Sequence, residues 1–364
     1  MKKISELIRP NIRDILPYLS GKPIEEVQRQ LGLKEVIKMA SNENALGPSP
    51  EAIKAVQNSA NEINIYPDGN AYYLKKKLAQ KLEINPEELF VGNGTDEVIR
   101  TITETFLNSG EEVVVAWPAF VIYAIATNVM AGKLIKTPLK NYTHDLDAML
   151  GAVTSKTKLI FISNPNNPTG TMVDESQVES FMRTVGEDII VVFDEAYYEY
   201  TERNFPDTLR YIKDGRNVIT LRTFSKIYGL AGLRIGYGIA KREIVREMNR
   251  IRQPFNTNRI AQIAATAALE DIEHLKKSKE MNQEGKDFLY RELDSLGLGY
   301  IPTCANFILI DTGRDSKEVY EQLLKRGIIV RPMDGYELPS FIRVTIGKPD
   351  QNKRFIELLR EILK

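Results

Sequence analysis

The sequence predicts an α/β fold: a large domain with a mostly parallel central sheet between two layers of helices, and a smaller α+β domain. From about Glu88, short apolar runs alternate with longer amphipathic segments, the pattern of parallel strands joined by helices. After about Asn256 the pattern changes to a long charged helical region followed by three strand-like stretches. With 364 residues, the chain is also longer than one hydrophobic core usually serves. We therefore expect the large domain over residues 41–255 and the small domain from residues 1–40 together with 256–364.

The strands of the large domain are expected at five uninterrupted apolar runs, because such runs are typical of strands with both faces buried. In chain order they read LFVG, EEVVVAW, KLIFIS, DIIVVFD and NVITLRT. After the first run, TDEVIRTITETFLNSG has apolar residues at helical spacing and closes on Gly110, which predicts a helix. In the small domain the expected strands are NFILI, GIIVRP and SFIRVTIG.

The composition excludes several classes of function. Lys+Arg and Asp+Glu both total 49, so we expect small-molecule partners and neither nucleic acid nor a membrane surface. The single cysteine, Cys304, excludes an internal disulfide framework, and with only His144 and His274 available we expect no metal centre. The N-terminal segment lacks the continuous apolar stretch of a signal peptide, which predicts a cytoplasmic protein.

Polar residues directly follow four of the predicted strands. Ligands of open parallel sheets bind beyond the carboxyl ends of the strands, so we expect the functional site at this edge. The four segments are GNGTDE, NPNNPTG, DEAYYEY and RTFSK. They would bring together a glycine-rich helix start, an amide, a carboxylate with a phenol, and a lysine.

Two of these residues have unusual predicted surroundings. Asp194 ends an apolar run, and a buried carboxylate needs a cation or a protonated base nearby unless it caps the following turn. Lys226 lies a few residues beyond its strand. A lysine enclosed there loses its proton readily and becomes a nucleophile or base, whereas an isolated lysine is usually solvated.

Several further residues could hold an anion. The GNGTDE segment could bind a phosphate at a helix N-terminus, or it could be an ordinary turn; Glu97 stands where a dinucleotide-binding fingerprint needs glycine. Arg234 could act with the hydroxyls of Thr223 and Ser225. Four glycines leave room for a ligand or for close backbone, or mark tight loops; these are Gly229, Gly232, Gly236 and Gly238. Two arginines in apolar strands would demand a carboxylate or phosphate if they face inward, although surface arginines are commoner; these are Arg331 and Arg343.

One cofactor requires this whole set. Pyridoxal 5′-phosphate (PLP) needs a lysine for its Schiff base, a carboxylate for its pyridine nitrogen and a cradle for its phosphate. The sequence resembles the fold-type I PLP-dependent aminotransferases through SNPNNPTG, DEAYYEY and TFSKIYGLAGLRIGYG. Within this group it is similar over nearly its full length to the histidinol-phosphate aminotransferases, through PYLSGKPIEEV, SNENALGPSP, YPDG, GNGTDE, PFNT and IRVTIG. It departs from their usual pattern at Ala45, often proline, and at Phe120, often tyrosine.

The resemblance implies a role for each matching position. Lys226 would carry the Schiff base and serve as general base, and Asp194 would pair with the pyridine nitrogen. Tyr197 and Asn167 would hydrogen-bond the phenolic oxygen, and Phe120 would stack on the ring. The residues implied for the phosphate are Gly94, Thr95, Thr223, Ser225, Arg234 and, from a second subunit, Tyr66. Those implied for the phosphate or carboxylate of the substrate are Tyr18, Arg331 and Arg343.

The resemblance also implies a homodimer with a shared active site and a reaction in histidine biosynthesis. Glutamate and imidazole-acetol phosphate would give histidinol phosphate and 2-oxoglutarate. Three alternatives remain open: an aromatic amino acid aminotransferase that uses Arg343 for the α-carboxylate, a PLP-dependent decarboxylase, and a cofactor-binding protein without turnover.

Overall fold

The protein is described by a computed structural model over residues 3–13, 15–18, 21–201 and 204–364, so Leu19 and Ser20 of the PYLSGKPIEEV motif lie outside the described residues. The helices are α1 (Ile4–Leu7), α2 (Ile24–Leu31), α3 (Pro50–Ser59), α4 (Tyr72–Leu82), α5 (Thr95–Phe106), α6 (Ile122–Val129), α7 (Leu146–Gly151), α8 (Glu175–Thr184), α9 (Leu209–Lys213), α10 (Arg242–Asn249), α11 (Arg259–Ala268), α12 (Ile272–Ser295), α13 (Ser316–Lys325) and α14 (Pro349–Leu363). The strands are β1 (Ile37–Lys38), β2 (Leu89–Gly92), β3 (Glu112–Trp117), β4 (Lys133–Lys140), β5 (Thr143–His144), β6 (Thr157–Ser163), β7 (Ile190–Asp194), β8 (Val218–Thr223), β9 (Gly236–Ala240), β10 (Gly299–Ile301), β11 (Phe307–Asp311), β12 (Ile328–Ile329), β13 (Arg331–Pro332) and β14 (Phe341–Thr345).

The large sheet has eight strands in the order β2-β9-β8-β7-β6-β3-β4-β5. The five strands from β8 to β4 run parallel, whereas β9 is antiparallel to both of its neighbours and β5 is antiparallel to β4. All five apolar runs form strands of this sheet. The prediction of a mostly parallel sheet is therefore confirmed.

Both faces of the large sheet are buried, as the uninterrupted apolar runs predict. Along β6, Ile160 belongs to a core cluster with residues of α3, α4, α8 and α11, and Phe161 belongs to a cluster with residues of α5, α6 and α10. Successive side chains of a strand point to opposite faces, so each run serves two helical layers. No helix in the described part of the chain is long and apolar enough to cross a membrane.

A second sheet has four antiparallel strands in the order β10-β11-β14-β13 and shares a core with residues of α12, α13 and α14. The predicted strands NFILI and SFIRVTIG form β11 and β14, and GIIVRP divides into β12 and β13. Strand β1 pairs with β12, which ties residues before position 41 to this unit. Helix α11 contributes to the core of the large sheet although it follows residue 255, so the exact domain boundary stays a prediction.

The close packing of α5 on the sheet explains two glycines. A Cβ on Gly236 would lie 2.8 Å from the backbone nitrogen of Thr95, and one on Gly238 would lie 3.1 Å from Val98. Of the two possibilities left open by the sequence, these glycines accommodate close protein packing. Their effect is to bring the N-terminus of α5 up to the ends of β8 and β9.

Candidate active site

The ends of β6, β7 and β8 border a cavity of about 240 Å³. Strand register places Ser163 beside Asp194, and Asp194 beside Leu221, so the polar residues that follow these strands emerge at one edge. A larger cavity of about 920 Å³ between α4 and α10 contains none of the predicted site residues. The smaller cavity is lined by ten of them: Tyr18, Thr95, Phe120, Asn167, Asp194, Tyr197, Thr223, Ser225, Lys226 and Arg234.

Lys226 directs its amine toward protein atoms in the cavity wall. Its Nζ donates a hydrogen bond to the backbone oxygen of Ser41 at 3.2 Å and lies 5.6 Å from the centre of the Tyr197 ring. Burial lowers the pKa of the Lys226 amine to about 8, and the positive charge of Arg343 acts in the same direction. The amine is therefore much easier to deprotonate than an ordinary lysine, as predicted.

Asp194 is a buried carboxylate with only neutral donors. Its Oδ2 accepts a hydrogen bond from the Tyr123 hydroxyl at 2.7 Å, and its Oδ1 accepts one from the backbone N–H of Ala196 at 3.1 Å. Burial raises the pKa of Asp194 to about 6. The cation predicted from the sequence is not supplied by any Lys, Arg or His that the structure describes. The site thus fits a ligand that brings its own positive charge to this carboxylate.

Tyr197 keeps its hydroxyl hydrogen available. Its Oη accepts a hydrogen bond from Asn42 Nδ2 at 2.9 Å, and burial raises the pKa of the Tyr197 hydroxyl to about 12. The hydroxyl stays protonated at neutral pH, and because Asn42 occupies it as an acceptor, its own hydrogen remains free to donate. Asn167, the other residue expected at the phenolic oxygen, lines the same cavity.

The N-terminus of α5 and Arg234 form a cradle. Gly94 precedes the helix with a left-handed φ of 78°, and a Cβ on it would lie only 2.5 Å from Arg234 Nη2. Arg234 itself has a left-handed φ of 55°, which is uncommon for a residue other than glycine and is typical of functional sites. Its guanidinium lies 3.4 Å from both Ser225 Oγ and Asp96 Oδ2. Backbone N–H groups, a hydroxyl and a guanidinium together suit a phosphate.

The two arginines expected to bind substrate are direct neighbours on paired strands. Arg331 on β13 pairs with Arg343 on β14, and the guanidinium of Arg331 lies 5.5 Å from the centre of the Tyr18 ring. Arg343 is buried and donates to the side-chain oxygen of Asn167 and, at 2.8 Å, to the backbone oxygen of Ala40. Its Nε has no hydrogen-bond partner among the described residues. Such a guanidinium fits an incoming anion.

Tyr66 is one of four predicted site residues that do not line the cavity, together with Gly94, Arg331 and Arg343. The residue is 76% exposed and its ring stacks on Phe255, with ring centroids 4.6 Å apart. The prediction assigned Tyr66 to the site of a second subunit, and its exposure is compatible with that assignment.

Sequence reasoning missed three neighbouring residues that contact the predicted site. Ala40, Ser41 and Asn42 each bond a different one of its side chains, through the backbone of the first two and the amide of the third. It also missed Tyr123, which lies in an apolar stretch of the sequence. A buried tyrosine hydroxyl usually needs a hydrogen-bond partner, so a tyrosine in an apolar stretch is a signal that could have identified this residue. No group of three or more His, Cys, Asp and Glu side chains in the described residues could hold a metal ion.

Comparison with known proteins gives a consistent result. Residues 34–359 match the family model described as aminotransferase class I and II. The histidinol-phosphate aminotransferase of Moorella thermoacetica is 56% identical over 98% of this chain and 92% of its own length, and that of Caldicellulosiruptor saccharolyticus is 47% identical over 98% and 100%. The crystal structure of the enzyme of that name from Sinorhizobium meliloti, in complex with PLP, is 29% identical with a TM-score of 0.90 and covers 98% of this chain and 97% of that one.

Proposed function

The chain belongs to the class I and II aminotransferases, and on that basis we propose that it transfers an amino group between L-glutamate and imidazole-acetol phosphate, with PLP as its cofactor. The shared name of the similar relatives supports this choice of substrate. The products would be 2-oxoglutarate and histidinol phosphate, in a step of histidine biosynthesis. This function would place the chain in the cytoplasm.

The observation that carries the proposal is the set of buried groups left without a counter-charge. Among the described residues, Asp194 has no cation and Arg343 has no carboxylate, and Lys226 in the same part of the molecule has a lowered pKa. When bound, PLP supplies an aldehyde that captures amines, a protonated ring nitrogen that stabilises a carbanion, and a phosphate. A phosphorylated substrate supplies the remaining anion.

Lys226 moves the proton in the proposed reaction. Because its pKa is about 8, an appreciable fraction of its Nζ is neutral near physiological pH. The neutral amine would take the proton from the α-carbon of the substrate, and the resulting ammonium group would release that proton again to complete the transfer. The carbonyl oxygen of Ser41 accepts a hydrogen bond from Nζ and limits the positions it can take.

The other residues of the cavity would bind and orient the cofactor. Asp194 would keep the ring nitrogen protonated, since a positive charge beside a buried carboxylate favours the ionised form. Tyr197 would donate its free hydroxyl hydrogen to the phenolic oxygen, and Phe120 would pack on the ring. The phosphate of the cofactor would be held by Gly94, Thr95, Thr223, Ser225 and Arg234.

At the substrate end, Arg343 and Arg331 would bind the phosphate of histidinol phosphate, with Tyr18 beside them. A phosphate is dianionic near neutral pH, so two arginines at directly opposite positions of neighbouring strands match its charge. The partly exposed position of Tyr18 at the cavity leaves it able to contact the substrate as it enters.

We also propose that two copies form a dimer in which Tyr66 of each chain completes the site of the other. Tyr66 shares a surface depression with several exposed apolar side chains, since Ile63, Ile65 and Phe255 are 72%, 55% and 46% exposed. Contiguous exposed apolar side chains of this kind are typical of protein interfaces.

Steady-state kinetics test the substrate. With PLP and 2-oxoglutarate, glutamate formation should be faster from L-histidinol phosphate than from L-phenylalanine, and the Lys226→Ala variant should be inactive with both. A preference for phenylalanine would support the aromatic alternative, and release of carbon dioxide without a keto acid would identify a decarboxylase. Borohydride reduction and peptide mapping should place the cofactor on Lys226.

A further inference from the structure

Tyr123 contacts two predicted site residues that are far apart in the sequence, Phe120 and Asp194. It lies on α6, is 1% exposed, and stacks on Phe161 with ring centroids 4.7 Å apart and an interplanar angle of 14°. Its ring also meets Phe120 edge-on at 5.8 Å, and its hydroxyl donates to Asp194. One rigid side chain therefore contacts both the aromatic ring and the carboxylate expected on the cofactor.

The surroundings of Asp194 make this hydroxyl important. The charges that raise the pKa of Asp194 further are negative: Asp96 from α5, whose carboxylate lies 3.4 Å from Arg234, and Glu195 from the segment after β7, whose carboxylate lies 2.8 Å from Arg222. Burial and these two charges favour the protonated carboxyl, whereas the Tyr123 hydroxyl and the backbone N–H of Ala196 favour the carboxylate. Of these two donors only the hydroxyl belongs to a side chain.

We propose that Tyr123 is a positioning residue that acts through Asp194 to fix the contact between this carboxylate and the ring nitrogen of PLP. The inference rests on the proposed function. By donating to Oδ2, the hydroxyl fixes the plane of the carboxylate group, and the other lone pairs remain available for the ring N–H. The contact with Phe120 sets the height of the stacking ring relative to the same carboxylate.

The prediction can be tested by removing only the hydroxyl. Tyr123→Phe keeps the ring contacts with Phe161 and Phe120. A matched control is Tyr290→Phe, because Tyr290 is also stacked, on Tyr300, and its hydroxyl is also hydrogen-bonded: it accepts from the backbone N–H of Thr303 at 2.8 Å. Circular dichroism should confirm that both variants are folded.

The readout is the dissociation constant of the full-length chain for two cofactors: PLP and its 1-deaza analogue, in which CH replaces the ring nitrogen. Tyr123→Phe should weaken PLP binding about tenfold, the size expected for a hydrogen bond to a charged group. It should change binding of the deaza analogue by less than about twofold, because that analogue lacks the contact that Tyr123 supports. Tyr290→Phe should affect neither cofactor.

Each other result has a defined meaning. Equal weakening of both cofactors would show a merely structural role, and no weakening would show no role; either result overturns the inference. In an Asp194→Asn background the effect of Tyr123→Phe on PLP should disappear, and a remaining tenfold loss would also overturn it. If the wild-type chain carries no PLP on Lys226, the proposed function fails as well, which separates the two failures.

Discussion

Arg343 and Asn167 are joined by a hydrogen bond that links β14 of the small antiparallel sheet to the loop after β6 of the large sheet. The donor is the arginine expected to bind the substrate, and the acceptor is the amide expected at the phenolic oxygen of the cofactor. The substrate anion and the cofactor would thus be held by two side chains in direct contact. Replacing either should affect mainly the ligand it binds.

For Arg343 we expect a loss in substrate recognition. Arg343→Ala should lower kcat/KM for histidinol phosphate. The ratio of the two values should correspond to a loss of about 2 to 3 kcal/mol of transition-state stabilisation, because a charged hydrogen bond to the substrate anion is removed. The absorption spectrum of the bound cofactor should change little. Arg326→Ala, an exposed arginine at the end of α13, is the control. Loss of the cofactor spectrum with an unchanged KM would contradict the assignment.

Lys226 should destabilise the cofactor-free chain at neutral pH. Its folded pKa of about 8 lies below the ordinary value of 10.5, so between these values the unfolded chain holds a proton that the folded chain lacks. The free energy of unfolding therefore rises with pH through this window, and below about pH 8 the folded chain is destabilised by the whole cost of burying the charged Lys226 amine. Lys226→Met should be more stable by about 1 to 3 kcal/mol at pH 7, with a smaller gain at pH 10.

Urea unfolding of the cofactor-free chain at the two pH values measures this difference. Lys325→Met, at an exposed position of α13, should give the same small change at both. A gain for Lys226→Met that does not shrink at high pH would argue against a charged-state penalty.

Asp194 should show opposite effects with and without cofactor. Its folded pKa of about 6 lies above the ordinary 3.8, so the folded chain holds a proton that the unfolded chain lacks between these values, and stability falls as pH rises through this window. At pH 7.5, Asp194→Asn should stabilise the cofactor-free chain by about 1 to 2 kcal/mol. Excess PLP should raise the Tm of the wild type more than that of the variant.

Differential scanning calorimetry with and without PLP measures the stability of the cofactor-free chains and the rise in Tm that PLP causes in each. If Asp194→Asn lowers the Tm of the cofactor-free chain, the carboxylate is better compensated than its contacts indicate, and the case for a cationic ligand weakens.

Tyr66 allows a test of the shared site by mixing inactive chains. Tyr66→Ala and Lys226→Ala should each be nearly inactive alone. In a mixed dimer, one site has an intact Lys226 and receives Tyr66 of the partner subunit, so random pairing should restore about a quarter of the wild-type activity. Activity assays after subunit exchange measure the recovery. No recovery, with mixed dimers present by mass spectrometry, would contradict the shared site.

Five of the eight strands of the large sheet could be predicted, because each of these five is a continuous apolar run bounded by polar residues. Strand β9 is not predicted, because its sequence, GYGIA, contains two glycines and therefore lacks a continuous apolar run. Both glycines leave space for α5, which packs closely on this strand. The two-residue strand β1 has no pattern of its own. It forms because β12, some 290 residues further along the chain, is brought beside it by the surrounding fold.

The same distinction holds for the site. Asp194 and Lys226 could be found because the first ends an apolar run and the second lies a few residues beyond another, so the local sequence places both at the same edge of the sheet. The bonds from Tyr123 to Asp194 and from Asn42 to Tyr197 join residues 71 and 155 positions apart. Such pairs are determined by tertiary packing, and a single sequence carries no periodic signal for them.

The segment Ala40–Asn42 has a wider consequence. Its three consecutive residues bond Arg343, Lys226 and Tyr197, and the pairing of β1 with β12 fixes where along the sheet the segment begins. The positions of Arg343, of the Lys226 amine and of the Tyr197 hydroxyl relative to one another therefore depend on one short stretch of chain. A single insertion or deletion here would displace all three contacts at once, so this part of the site can change only as a unit.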